Sequence, residues 1–90
     1  MTKKEMHSAI NKQVYKWLEE KNVPLELGEG GRITIMIGDD ANNWFDYHQS
    51  RHEVCILNWA SDEAKLLASE LEKYIDVIWN MHMWEFAQSK

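Results

Sequence analysis

Three residues in the middle of the chain have the types and spacing of a metal site. Asp46, His48 and His52 are separated by two and four residues, so on an extended segment their side chains would point the same way. Carboxylate and imidazole groups bind zinc, and three protein ligands leave one position open for water or substrate. No CxxC, HExxH or EF-hand pattern accompanies them. We therefore favour the interpretation that these are surface-loop histidines without a metal. A small metal-binding or enzymatic domain that uses Asp46, His48 and His52 remains an alternative.

The remaining candidates for catalysis are a single cysteine and a glycine-rich segment. Cys55 is surrounded by Val54, Ile56 and Leu57, whereas a catalytic thiol needs a positive, partly exposed setting that lowers its pKa. The segment from Gly28 to Gly31 precedes a predicted strand and lacks the Lys-Ser/Thr of a phosphate-binding loop. We therefore expect no catalytic residues and no cofactor.

Aromatic residues and methionines are concentrated in two places. One group lies beside an acidic loop, and the other crowds the end of the chain. At about 100° per residue on a helix, Trp79, Met83 and Phe86 share one side, while Met81 and Trp84 lean toward another. Exposed tryptophan and methionine side chains form binding hot spots. We predict a partner-binding surface that consists of Trp79, Met83, Trp84, Phe86, Trp44, Tyr47, Asp39 and Asp40.

The charge balance favours a protein partner over nucleic acid. The chain has 10 Lys+Arg against 15 Asp+Glu, a net charge of −5, whereas nucleic-acid binders concentrate basic residues. The first-helix lysines are interleaved with acids, so binding to nucleic acid through that helix is only an alternative; they are Lys3, Lys4, Lys12, Lys16 and Lys21. A compact acidic surface can instead compete with nucleic acid for a basic groove. In general terms this resembles the small inhibitors that phages direct against nucleases and CRISPR effectors, so a regulator of a nucleic-acid-handling protein is predicted.

Composition predicts one cytoplasmic globular domain over residues 1–90. Hydrophobic residues make up 44% of the chain, which is too many for a disordered protein. One cysteine cannot form an internal disulfide. No apolar run approaches the roughly 20 residues of a membrane-spanning helix, and no apolar segment follows the first lysines as in a signal peptide. A homodimer through the C-terminal aromatic residues is a further expectation.

Hydrophobic periodicity predicts two helices that enclose a set of strands. Residues 3–22 repeat apolar side chains at three- and four-residue spacing and end before Val23-Pro24. A second helix begins after Ser61, a good N-cap, and continues to about residue 86. Its predicted buried stripe consists of Ala64, Leu67, Ala68, Leu71, Ile75, Ile78 and His82. At ~1.5 Å per residue this helix is longer than a three-stranded sheet is wide, so its last two turns are expected to project.

Three strands are predicted between the helices. Residues 23–27 alternate between apolar and polar side chains, and residues 32–37 are β-branched. Residues 53–59 are apolar on both faces, so this strand is expected either to lie centrally or to have one face covered by aromatic residues. Residues 44–48 could form a fourth strand or a loop. The glycines at 28–31 predict a tight hairpin. The resulting fold class is α+β, a two-layer α-β-β-β-α arrangement with both helices on one face of an antiparallel sheet.

This element order resembles that of double-stranded-RNA-binding domains. The segment from Ser61 to Lys65 lies where that family begins its second helix. The family uses consecutive lysines there to bind phosphate, whereas this chain has Asp62 and Glu63. The resemblance therefore implies the topology and argues against the family's activity.

Overall fold

The structure, a computed structural model, describes residues 2–37 and 43–88 and contains, within them, two helices and a four-stranded antiparallel sheet. The strands pair in the order β1-β2-β3-β4, which confirms the α+β class and makes residues 44–48 a strand. The elements are α1 (Lys3–Glu20), β1 (Leu25–Leu27), β2 (Arg32–Met36), β3 (Trp44–His48), β4 (Glu53–Cys55) and α2 (Asp62–Gln88).

One face of the sheet packs against both helices. Ile33 and Ile35 of β2 alternate with polar or half-buried residues, as do Phe45 and Tyr47 of β3, and all four are fully buried. The buried stripes of the helices complete the core with Met6, Ile10, Val14 and Leu18 of α1 and Ala64, Ala68, Leu71, Ile75, Ile78 and His82 of α2. Leu67, predicted to belong to this stripe, is half-buried.

The helix boundaries follow from local hydrogen bonding. Thr2 Oγ1 accepts the backbone N–H of Glu5 at 3.1 Å and caps α1. Ser61 Oγ accepts the backbone N–H of Ala64 at 3.2 Å and caps α2 as predicted. At the end of α1, Asn22 has a φ of 56°, and this left-handed conformation turns the chain out of the helix.

The hairpin between β1 and β2 contains a short 3₁₀ turn over Glu29–Gly31. Gly30 and Gly31 have φ values of 67° and 79°, a region that residues with a Cβ rarely occupy. The positive φ predicted for this turn is confirmed.

The prediction of a central strand over residues 53–59 is wrong. Strand β4 ends at Cys55 and lies at the sheet edge, paired with β3. The chain must leave the sheet because α2 begins at Asp62, and it does so through a turn in which the Ala60 N–H donates to the Leu57 carbonyl at 3.0 Å. This turn exposes Trp59.

The expectation that the last turns of α2 project freely is only half right. Helix α1 runs antiparallel to α2, with an ion pair of 3.8 Å between Lys21 and Glu70 at one end and His7 beside Trp79 at the other. His82 is buried and Phe86 is half-buried against the core. One side of this helix end is therefore packed, and the opposite side is exposed. Within the described ranges, neither helix combines the length and the apolar character needed to cross a membrane.

Candidate functional site

Three large apolar side chains are exposed on the outer face of α2. Val77, Met81 and Trp84 are 57%, 57% and 67% exposed. Their spacing of four and three residues places them on one face of the helix, directed away from the buried Ile75 and Ile78. We call these three residues the α2 stripe.

A recess lies beside the α2 stripe. It has a volume of about 470 Å³ and is lined by Asn80, Met81, Trp84 and Glu85. This recess is shallow and open, since Met81 and Trp84 in its lining are themselves 57% and 67% exposed. The α2 stripe therefore offers a protruding indole beside a shallow apolar surface.

Negative charges predominate around the α2 stripe. Asp76 and Glu85 lie beside it, whereas Lys73, which is exposed four residues before Val77, adds one positive charge at its N-terminal end. Both carboxylates belong to exposed residues. An apolar surface bordered in this way favours a partner that places cations around its own apolar contact.

The structure divides the C-terminal residues that we predicted to bind a partner. Trp84 and Met83 are exposed, whereas Trp79 and Phe86 are half-buried and pack against the core. Sequence reasoning missed Val77, although its spacing from Met81 and Trp84 would have placed it on the same helix face.

The predicted binding residues from the middle of the chain behave differently. Tyr47 is fully buried, so its assignment to a partner-binding surface is wrong: the alternation of β3 directs it into the core. Trp44 is half-buried on the opposite face, with its ring 6.0 Å from that of Trp59 in an edge-to-face arrangement. Asp39 and Asp40 lie outside the described residues.

The trio considered for a metal is not brought together. Asp46 and His48 lie on the outer face of the sheet, where Asp46 accepts a hydrogen bond of 2.8 Å from Thr34. His52 has a φ of 51° in the β3–β4 turn, and its ring packs on the inner side against Tyr47. Strand alternation and this turn therefore separate the side chains. Among the described residues, no group of three His, Cys, Asp or Glu has a geometry that could hold a metal ion.

Cys55 does not have the environment of a nucleophile. Its strand partner is Asp46, and burial, followed by the charge of Glu53, raises the pKa of its thiol. A raised pKa reduces the thiolate fraction at neutral pH. The thiol is half-buried on the outer face of the sheet and not in the core that its apolar neighbours suggested.

A polar network crosses the otherwise apolar core. The Tyr47 hydroxyl donates to Asn11 Oδ1 at 2.8 Å and lies 2.9 Å from His52 Nδ1, and His52 Nε2 lies 2.6 Å from His7 Nδ1. The planes of the two imidazole rings are nearly parallel, with their centres 4.8 Å apart, and the Trp79 ring lies 5.6 Å from that of His52. This network joins α1, β3, the β3–β4 turn and α2. Sequence spacing gave no indication of it because His7 and His52 are 45 residues apart.

The lysines of α1 do not form a concentrated basic surface. Lys3, Lys4, Lys12 and Lys16 are exposed at intervals along the helix. Lys21 forms its ion pair with Glu70 and lies 5.0 Å from the centre of the Trp17 ring. The positions of these lysines therefore do not strengthen the alternative that the protein binds nucleic acid through α1.

The fold and its most exposed feature define a two-layer α+β domain with an apolar stripe on its C-terminal helix. The chain matches no protein-family model, and it has no significant similarity to a curated protein or a solved structure.

Proposed function

We propose that this protein is a non-enzymatic interaction module that binds another protein through the α2 stripe. The observation that carries the proposal is the exposure of Val77, Met81 and Trp84 on a helix whose opposite face already fills the core. Because these three apolar side chains are only partly buried, leaving them in water forgoes roughly 1–2 kcal/mol of burial free energy for each. A contiguous exposed group of this kind marks an interaction surface.

The spacing of the α2 stripe supports a particular binding mode. Anchors at positions i, i+4 and i+7 are those with which an amphipathic helix lies in an apolar groove of a partner. Here the central anchor is Met81, whose flexible side chain adapts to irregular surfaces. Trp84 supplies the largest contact area.

The charge pattern supports a basic partner. Asp76 and Glu85 border the α2 stripe, and the chain has a net charge of −5, which would steer it toward a positive groove. Grooves that combine cations with apolar side chains are typical of proteins that handle nucleic acid. The proposal therefore includes regulation or inhibition of such a protein, as phage inhibitors do. A cytoplasmic location remains a prediction.

A second copy of the chain is a less suitable partner for the α2 stripe than a basic protein. Two copies packed through the α2 stripe would place the carboxylates of Asp76 and Glu85 of each near those of the other. Like charges at an interface oppose association.

Replacing Trp84 with alanine tests the proposed interface. The partner would be captured from a host lysate with tagged protein, with and without nuclease, identified by mass spectrometry and purified. We expect Trp84→Ala to weaken its binding about tenfold, or about 1.4 kcal/mol, because tryptophan is a typical hot-spot residue. Isothermal titration calorimetry would measure the dissociation constant.

Trp59→Ala is the matched control because it removes an indole that is 55% exposed and lies in the other aromatic cluster. The control should bind like the unaltered protein, and circular dichroism should show both variants folded. Equal binding by both variants would contradict the proposal. If nuclease abolishes capture of the partner, the result would instead favour binding to nucleic acid through the lysines of α1. If sedimentation shows a dimer that Trp84→Ala converts to a monomer, the result would favour self-association.

A further inference from the structure

When both histidines are neutral, the distances in the polar network of the core are consistent with one arrangement of donors and acceptors. The Tyr47 hydroxyl uses its only hydrogen on Asn11 Oδ1, so its oxygen must accept the N–H of His52 Nδ1 at 2.9 Å. A neutral imidazole then has a lone pair on Nε2, and this atom accepts the N–H of His7 Nδ1 at 2.6 Å. With both rings neutral, each of these hydrogen-bonding atoms therefore has a partner.

The contact between His7 and His52 tolerates one additional proton but not two. With one additional proton on the pair, a single hydrogen still lies between His7 Nδ1 and His52 Nε2, because the neutral ring accepts it through a lone pair whichever ring is charged. With an additional proton on each ring, both facing atoms carry a hydrogen, and two N–H groups would face each other across 2.6 Å. Protonation of both rings is therefore incompatible with the observed contact between α1 and the β3–β4 turn.

A second environment for the His52 ring exists next to the first. A cavity of about 280 Å³ borders His52 and is lined by the carboxylate residues Glu53, Glu72 and Asp76. Of these carboxylates, Glu53 also forms an ion pair of 3.3 Å with Arg51. The groups that face the ring are thus His7 and Asn11 from α1, Tyr47 from β3, Glu53 from β4, and Glu72, Asp76 and Trp79 from α2.

We propose that His52, together with His7, is a pH-sensitive latch, which fastens the first half of α1 to the β3–β4 turn while at least one of the two rings is neutral and releases it when both rings are protonated and His52 turns toward Glu53, Glu72 and Asp76. This inference goes beyond the proposed function and does not depend on it. His52 has a φ of 51°, a left-handed conformation whose cost the contacts of this turn must offset.

The sign of the pH dependence follows from linkage. Burial, and secondly His7, lowers the pKa of His52 below its ordinary value of 6.5. Below about pH 6.5 the unfolded chain therefore binds a proton at this site that the folded chain does not. The stability that the neutral latch supplies is complete above pH 6.5 and is lost as the pH falls below it.

The test compares urea unfolding at pH 7.5 and pH 5.5 for the unaltered protein, His52→Asn and His48→Asn. Asparagine tolerates the left-handed backbone, and His48→Asn is the matched control because it removes a histidine from the outer face. Between the two pH values the unfolding constant of the unaltered protein and of His48→Asn should rise about tenfold more than that of His52→Asn. Equal rises in all three would overturn the proposal.

A second measurement needs no variant and remains valid if His52→Asn does not fold. Two-bond ¹H–¹⁵N spectra should show His52 as the Nδ1–H tautomer at pH 7.5. Hydrogen exchange, corrected for its intrinsic pH dependence, should show residues 3–11 losing more protection at pH 5.5 than the amides around Leu71. The opposite tautomer, or uniform loss of protection, would overturn the latch.

Discussion

Leu71→Ala is expected to destabilise the protein by about 3 kcal/mol, because it removes buried methyl groups and leaves a cavity. Leu71 is fully buried in the middle of α2, in the layer between that helix and the sheet. A chain of this length has a free energy of unfolding of about 5–13 kcal/mol, so the substitution removes a large fraction of it. Thermal unfolding followed by circular dichroism should show the midpoint lowered by roughly 15 °C.

Leu66→Ala is the control for this prediction, since it is the same change on the same helix at a side chain that is 63% exposed. It should change the free energy of unfolding by less than about 0.5 kcal/mol. A comparable loss in the two variants would show that helix propensity or residual structure, and not the core, determines the effect. It would also contradict the assignment of the buried face of α2.

Tyr47→Phe is expected to destabilise the protein by about 1–3 kcal/mol although it changes a single atom. The hydroxyl accepts from His52 and donates to Asn11, so its removal leaves a buried donor and a half-buried acceptor unpaired. Tyr74→Phe is the matched control, because that tyrosine is half-buried and stacks on Trp17 at 5.9 Å. Urea unfolding at pH 7.5 should detect the difference, and equal effects would contradict the network.

The same hydroxyl makes the protein sensitive to alkali. Burial, followed by the charge of Tyr15, raises the pKa of Tyr47 far above its ordinary value of 10.0. Above pH 10 the unfolded chain loses this proton while the folded chain keeps it, so stability falls as the pH rises. Tyr47→Phe should lose less stability between pH 9 and pH 11 than Tyr74→Phe. An identical loss in both would show that Tyr47 is ionised in the folded state.

The sequence predicted those parts of the protein that depend on local pattern. The three- and four-residue spacing from Met6 to Leu18 and from Ala64 to His82 identified the buried faces of the helices, because a helix can bury only one stripe. Ser61 and Val23-Pro24 predicted helix boundaries for a similar reason, since capping and proline act within a few residues.

The sequence was less reliable wherever the answer depended on which strand lies beside which. Residues 53–59 read as a central strand, yet β4 lies at the edge, because an apolar segment indicates burial without indicating pairing partners. Asp46, His48 and His52 share a spacing, but the positive φ of His52 sends its ring to the other side. The turn that follows β3 therefore separated a set of residues that an extended chain would have brought together.

By itself, the sequence determined the helices, most of the strands, the acidic charge and the concentration of aromatic residues near the end of the chain. Only the tertiary structure decided which of those residues are exposed: Trp79 and Phe86 pack on the core, whereas Val77, Met81 and Trp84 remain on the surface. It also decided that His7 and His52 share a hydrogen bond. The physical reason is that periodicity is a property of one element, whereas exposure and long-range polar contacts depend on how α1 and the sheet pack against α2.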